Sequence, residues 1–111
     1  MRILNVNEKT IADYIQAKRP PVEIRDEIDL GYSFKNNEVI LFEIRPQWDD
    51  ESKKREYPFA RCKYVKTQQI WKIYWMRANG NWELYEPNSS VSNIHSFIEI
   101  VESDKHSCFW G

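Results

Sequence analysis

Along this 111-residue chain the apolar positions change period more than once, and each change marks an element. Near the start, Ile11, Tyr14, Ile15 and Lys18 recur at i, i+3, i+4 and i+7, the spacing of one helical face. Asn5 with Glu8, or Asn7 with Glu8 in the first turn, supplies start chemistry, since a short polar side chain can satisfy the free N–H groups of a first helical turn. Pro20-Pro21 ends the run, since neither residue offers a backbone donor and Arg19 is pushed out of helical angles. The spacing predicts a helix over about 7–18.

From Val22 the period becomes two. Val22, Ile24, Ile28, Leu30, Tyr32 and Phe34 fall on one side, which predicts a first strand beginning at position 22. Asn36-Asn37 tolerates positive φ and predicts a hairpin turn. A second strand follows from Glu38 to Arg45, and Pro46 is expected to end its pairing. Residues 47–57 hold Asp49-Asp50-Glu51 and Lys53-Lys54-Arg55 with no apolar alternation, the pattern of a long charged loop. A third strand runs from Pro58 to Val65. In a fourth, Ile70 to Arg77, Trp71, Ile73 and Trp75 alternate with Lys72, Tyr74 and Met76. Asn79-Gly80 is the strongest hairpin signal in the chain, and it leads to a fifth strand ending near residue 86. Ser89 or Ser90 then caps a second helix, about 91–102, whose stripe is Val91, Ile94, Phe97, Ile98 and Val101. An aromatic tail, 106–111, closes the chain. Its Phe109 and Trp110 are expected to dock on the core, because two frayed aromatics would leave much apolar surface in water.

These elements make one domain over 1–111. Its class is α+β: a five-stranded antiparallel meander with an N-terminal and a C-terminal helix packed on one of its faces. On this pattern Ile40, Phe42, Ile44, Cys62, Tyr64, Trp71, Ile73 and Trp75 point to the core. The outward set is Val39, Leu41, Glu43, Arg45, Phe59, Arg61, Lys63, Ile70, Lys72, Tyr74, Met76 and Tyr85.

Composition narrows the function classes. Hydrophobic residues are 41% and charged residues 30% of the chain, which excludes a disordered tail, and no apolar run is long enough to span a bilayer. The net charge of −1 conceals a basic middle: residues 45–78 carry a local +5 between flanks of −2 and −4. A basic centre is compatible with an anionic partner or with a mixed solvated surface. Two cysteines are too few for a secreted disulfide framework, and the start of the chain turns acidic at Glu8 without an apolar stretch. A cytoplasmic protein with free thiols is expected.

Three segments occur together in one order. They are Glu43-Ile44-Arg45-Pro46-Gln47-Trp48-Asp49, then Ile73-Tyr74-Trp75-Met76 running into Asn79-Gly80-Asn81-Trp82, and finally Phe109-Trp110-Gly111. In this combination the chain, over about residues 20–111, resembles the bacterial domain-of-unknown-function family number 3024. The resemblance implies a small, usually single-domain bacterial protein. It brings no activity and no catalytic or binding residues.

The chemistry-bearing residues are sparse. Asp104, His106 and Cys108 alternate in the tail, but residues two apart on a strand are poorly placed for a thiol–imidazole bond, so no catalytic residue is assigned. His95, His106, Cys62 and Cys108 are the only nitrogen and sulfur ligands and lack the close pairs of a zinc site, so no metal and no cofactor are expected. The carboxylates at 26–27, 49–51 and 99/102 have no evident shelter to raise their pKa. Phosphate-loop and dinucleotide motifs are missing. The expectation is a small non-enzymatic interaction module that uses an apolar and basic sheet face, with a thiol-dependent enzyme as a distant third reading. The candidate partner-binding residues are Arg45, Trp48, Arg61, Lys63, Lys72, Tyr74 and Tyr85. Arg and Lys interleaved with aromatics on a sheet also fit single-stranded nucleic acid, the alternative reading. A second copy, a homodimer, or the N-terminal helix covering the outward face would equally explain its apolar character. Trp48 is expected to fold back on the sheet edge.

Overall fold

The computed structural model of the chain describes residues 5–110; residues 1–4, where the leader expectation begins, and Gly111 of the tail lie outside the described residues. Helix α1 spans Val6–Lys18, with the Asn5 side chain accepting the Glu8 N–H at 2.7 Å as its cap. A short 3-10 turn, Val22–Ile24, follows, then strands β1 (Asp29–Lys35), β2 (Glu38–Gln47), β3 (Asp50–Val65), β4 (Ile70–Met76) and β5 (Trp82–Leu84). A second 3-10 turn at Glu86–Asn88 leads to a two-residue strand, β6 (Ser90–Val91), and helix α2 (Ile94–Ser103). The sheet is antiparallel in the order β1-β2-β3-β4-β5, a meander, with β6 added to β4. The fold is α+β.

Several local expectations change. Val22 and Ile24 are exposed in the 3-10 turn rather than paired, because the constrained backbone after Pro20-Pro21 turns before it extends. Helix α2 starts three residues later than expected and is capped by Asn93, whose side chain accepts the Ser96 N–H at 2.8 Å. Ser90 and Val91 are drawn onto the edge of β4 instead. Asn36 and Asn37 occupy positive φ at 53° and 56°, as a two-residue turn between Lys35 and Glu38 requires.

Both helices pack on the same side of the sheet. The core joins Ile11 and Ile15 of α1, and Ile94, Phe97, Ile98 and Val101 of α2, to Leu30, Val39, Leu41, Ala60, Cys62, Trp71 and Ile73. Trp71 and Ile73 are buried as expected, while Trp75 near the end of β4 is half-buried. The face assignment of β2 is reversed. Val39 and Leu41 are fully buried in the core, and Ile40 and Ile44 lie on the other side. In the ladder Val39 stands opposite Cys62 and Leu41 opposite Ala60, so these residues share a face. The run Val39-Ile40-Leu41-Phe42 is apolar at every position, so its own periodicity cannot choose a side.

A register shift between Leu41 and Phe42 makes Phe59 the extra residue of a bulge in β3. Phe59 and Ala60 therefore both belong to the core, and Phe59 meets Trp110 at 4.7 Å between ring centroids. Phe42 is buried on the opposite side, above Gly31, its cross-strand partner. The tail docks as expected. Phe109 is buried against Tyr85, and the Trp110 indole donates to the Val101 carbonyl at 3.0 Å.

Candidate functional site

The charged segment 47–57 is not a loop: from Asp50 onward it is strand, the first half of β3, paired with the end of β2. Strand β1 pairs with β2 only as far as Ile44, and β4 reaches β3 only from Ala60 onward. Residues 45–57 therefore stand clear of both neighbours as a two-stranded arm, in which Arg45 faces Arg55 and Pro46 faces Lys54. Backbone pairing needs no apolar alternation, which is why the pattern of side chains did not announce it. Pro46 does not end the strand, since a proline on an edge leaves no ladder donor unmet. The Lys54 ammonium, 3.1 Å from Asp26, ties the arm to the segment after the first 3-10 turn.

Trp48 lies in the turn at the tip and is 93% exposed. It does not fold back on the sheet. The ladder runs outward to Gln47 opposite Asp50, and Ser52 closes on the Asp50 carboxylate through its N–H at 3.1 Å and its hydroxyl at 2.6 Å. That geometry holds Trp48 at the turn, away from any apolar surface. Arg45 lies 3.0 Å from Glu43, and the Arg55 guanidinium sits 5.5 Å from the Tyr57 ring centroid.

The second group lies on the sheet face opposite the helices. Register aligns Ser33, Ile40, Arg61, Tyr74 and Leu84 in one cross-strand row, and Lys35, Glu38, Lys63 and Lys72 in the next. Arg61 donates twice to Glu38 Oε2, at 3.0 and 2.7 Å, and its guanidinium carbon lies 4.8 Å from the Tyr74 ring centroid. The ion pair and the stack hold one side chain in place. Among the described residues Lys63 and Lys72 form no ion pair, although they stand directly opposite one another. An open groove of about 470 Å³ runs beside Ser33, Lys35, Glu38, Ile40 and Lys63.

The structure thus divides the expected partner-binding residues. Arg45 and Trp48 belong to the arm; Arg61, Lys63, Lys72 and Tyr74 belong to the helix-free face. Tyr85 belongs to neither. It is 3% exposed beneath the tail, 5.0 Å from the Phe109 ring, because the chain turns inward after β5. The expected apolar outward set is also reduced, since Val39, Leu41 and Phe59 are core residues.

The tail carries no activated thiol. Cys108 Sγ contacts the His106 carbonyl at 3.6 Å, and the imidazole lies edge-on to Tyr85. Burial, with Asp104 and Glu83 nearby, pushes the Cys108 thiol up rather than toward thiolate. Cys62 is buried and pushed up by desolvation alone. His95 pairs with Glu99 on the exposed side of α2, at 2.9 Å. A shallow groove of about 780 Å³ beside Tyr85, Ser96, Ile100 and His106 escaped the sequence reading, because it forms between the tail and α2. Among the described residues no cluster of His, Cys, Asp and Glu is arranged to hold a metal ion, and no helix is long and apolar enough to cross a membrane.

The family model described as domain of unknown function DUF3024 matches residues 2–111. The chain belongs to this family. The match takes in α1 as well as the sheet, further toward the start than the motifs in the sequence reach. Within this member the three motifs occupy the outgoing strand and tip of the arm, β4 with its hairpin, and the docked tail. No curated protein and no solved structure matches the chain.

Proposed function

We propose that this DUF3024 member is a small non-enzymatic interaction module that engages a partner protein through its arm. The observation that carries this reading is Trp48, 93% exposed at the tip of a two-stranded projection. A tryptophan so placed leaves on the order of 200 Å² of apolar-rich surface in water. It contributes no packing to the fold in return. Tryptophan and arginine are the residue types that most often anchor protein interfaces, and Arg45 and Arg55 line the arm behind the tip. Two thiols without a disulfide fit a reducing cytoplasm as its setting.

Affinity capture with the wild-type chain and with Trp48→Ala, each with and without nuclease, tests the reading. A nuclease-resistant partner protein held by the wild type and lost by the variant is the expected result. Equal capture by both chains would remove the arm from the interface.

A further inference from the structure

We infer that the helix-free sheet face is a binding surface for single-stranded nucleic acid, a function separate from the partner contact of the arm. The cross-strand register gathers the charges of this face. Lys63 and Lys72 are directly opposite on neighbouring strands, and like charges in that position are unfavourable unless an anion lies between them. Among the described residues none does so. Lys35 stands two strands away in the same row, and the one carboxylate between, Glu38, is already neutralised by Arg61. The row therefore presents three cations to whatever approaches.

The adjacent row supplies what a polyanion of phosphodiesters has and an acidic peptide lacks a use for. Arg61, fixed by its ion pair, lies over the Tyr74 ring with its guanidinium carbon 4.8 Å from the centroid, which makes a guanidinium–phenol platform on an open sheet. Unpaired bases stack on aromatic rings and arginine planes in this way, while the stacked bases of a duplex cannot reach them. The platform lies two residues along the strands from the lysine pair, about 7 Å, so one nucleotide can stack its base and place its phosphate. Ile40 and Leu84 flank the platform in the same row and give the ribose side an apolar floor. Charge complementarity and the stacking surface thus agree on one occupant.

The test is fluorescence anisotropy of a labelled oligothymidylate of about twelve nucleotides, within the usual range for such surfaces. Saturable binding is expected at low salt. Two to three phosphate contacts predict that affinity falls about tenfold between 50 and 200 mM salt. Lys63→Gln/Lys72→Gln should flatten that salt dependence and weaken binding tenfold or more, with an unchanged circular dichroism spectrum. Tyr74→Leu, which keeps apolar bulk, should weaken binding without changing the salt slope. Trp48→Ala should bind as the wild type does. The absence of saturable binding would overturn the inference. So would equal binding of a polyglutamate peptide, which would make the surface a site for acidic protein segments. Concentration-dependent dimerisation abolished by the lysine substitutions would assign the face to a second copy and overturn it as well.

Discussion

The carboxylate of Asp104 accepts the backbone N–H of Trp110 at 2.8 Å, and its second oxygen accepts that of Phe109 at 3.0 Å. Asp104 ends α2 in the left-handed region, φ 40°, which turns the chain back along the helix and aims the tail at its own side chain. One residue thus stops the helix and holds the aromatic tail. Asp104→Ala loses both acceptors and keeps the strained backbone, and should lower stability by about 2 kcal/mol. Asp104→Gly loses the same bonds but relaxes the backbone, so its urea midpoint should lie above that of Asp104→Ala. Removing residues 109–111 should cost roughly 3–5 kcal/mol, in the range of deleting a buried aromatic. An unchanged midpoint on truncation would show that the tail contributes nothing to the fold.

Gly31 has no side chain because Phe42 occupies the space above it. A Cβ at position 31 would stand 2.6 Å from Phe42 Cε2 and 3.0 Å from Cζ. Gly31→Ala should therefore destabilise the protein by about 1–3 kcal/mol through overpacking. Adding Phe42→Leu should recover part of that loss, since the two residues are paired across β1 and β2. Additive losses in the double variant would show that the ring and the glycine are not coupled.

The two thiols differ in access more than in chemistry. Cys62 is fully buried among core residues, whereas Cys108 is half-buried in the tail. A thiol reagent applied to the folded protein should label Cys108 first and reach Cys62 only at the rate of unfolding. Mass spectrometry of partly labelled protein distinguishes the two sites. Matching fast rates would mean that the core opens without global unfolding.

Stability should fall at both ends of the pH range. Paired hydrogen bonds from Arg19 hold Asp29 below its ordinary range, and the Tyr14 hydroxyl, with Lys18, does the same for Glu102. The folded protein keeps these carboxylates ionised where the unfolded chain takes up protons. Their contribution is present above about pH 4 and is lost as pH falls through the folded values. Tyr14 is raised by burial and then by its bond to Glu102, and Tyr85 is raised by burial. Their contribution is present below about pH 10 and is lost as pH rises through the folded values. Urea midpoints across pH should form a plateau with two falling limbs. Asp29→Asn with Glu102→Gln should flatten the acid limb, and Tyr14→Phe should remove part of the alkaline one, the rest coming from Tyr85 and the two thiols that burial also raises. An acid limb equally steep in the double variant would place the linkage elsewhere.

Elements with a clean period were legible in the chain. The stripe of α1, the alternation of Trp71, Ile73 and Trp75, the Asn36-Asn37 and Asn79-Gly80 turns and the docking of Phe109 each follow from local chemistry, whereas Asn5 and Asn7 were equal candidates for the first cap until the structure chose Asn5. Of the candidate site, Arg61, Lys63, Lys72 and Tyr74 were placed together on the outward face, as the ladder has them. Tyr85 was misplaced, because it lies past the last regular alternation, where period no longer assigns a side. The sequence marks Trp48 as a candidate anchor but not its exposure at the tip. No local signal tells whether an aromatic beside a charged run has an apolar surface within reach.

What the sequence by itself determined is the class, the order of elements and the charge of the outward rows, since these depend on neighbours one to four positions apart. Only the tertiary structure decided which side of β2 meets the helices, because four consecutive apolar residues fit either face until Cys62 and Ala60 stand opposite them. It alone decided that Phe59 bulges into the core. It also decided that a charged stretch pairs with the end of β2 to carry Trp48 into solvent. These outcomes depend on hydrogen bonds between strands, which join residues that sequence periodicity cannot compare.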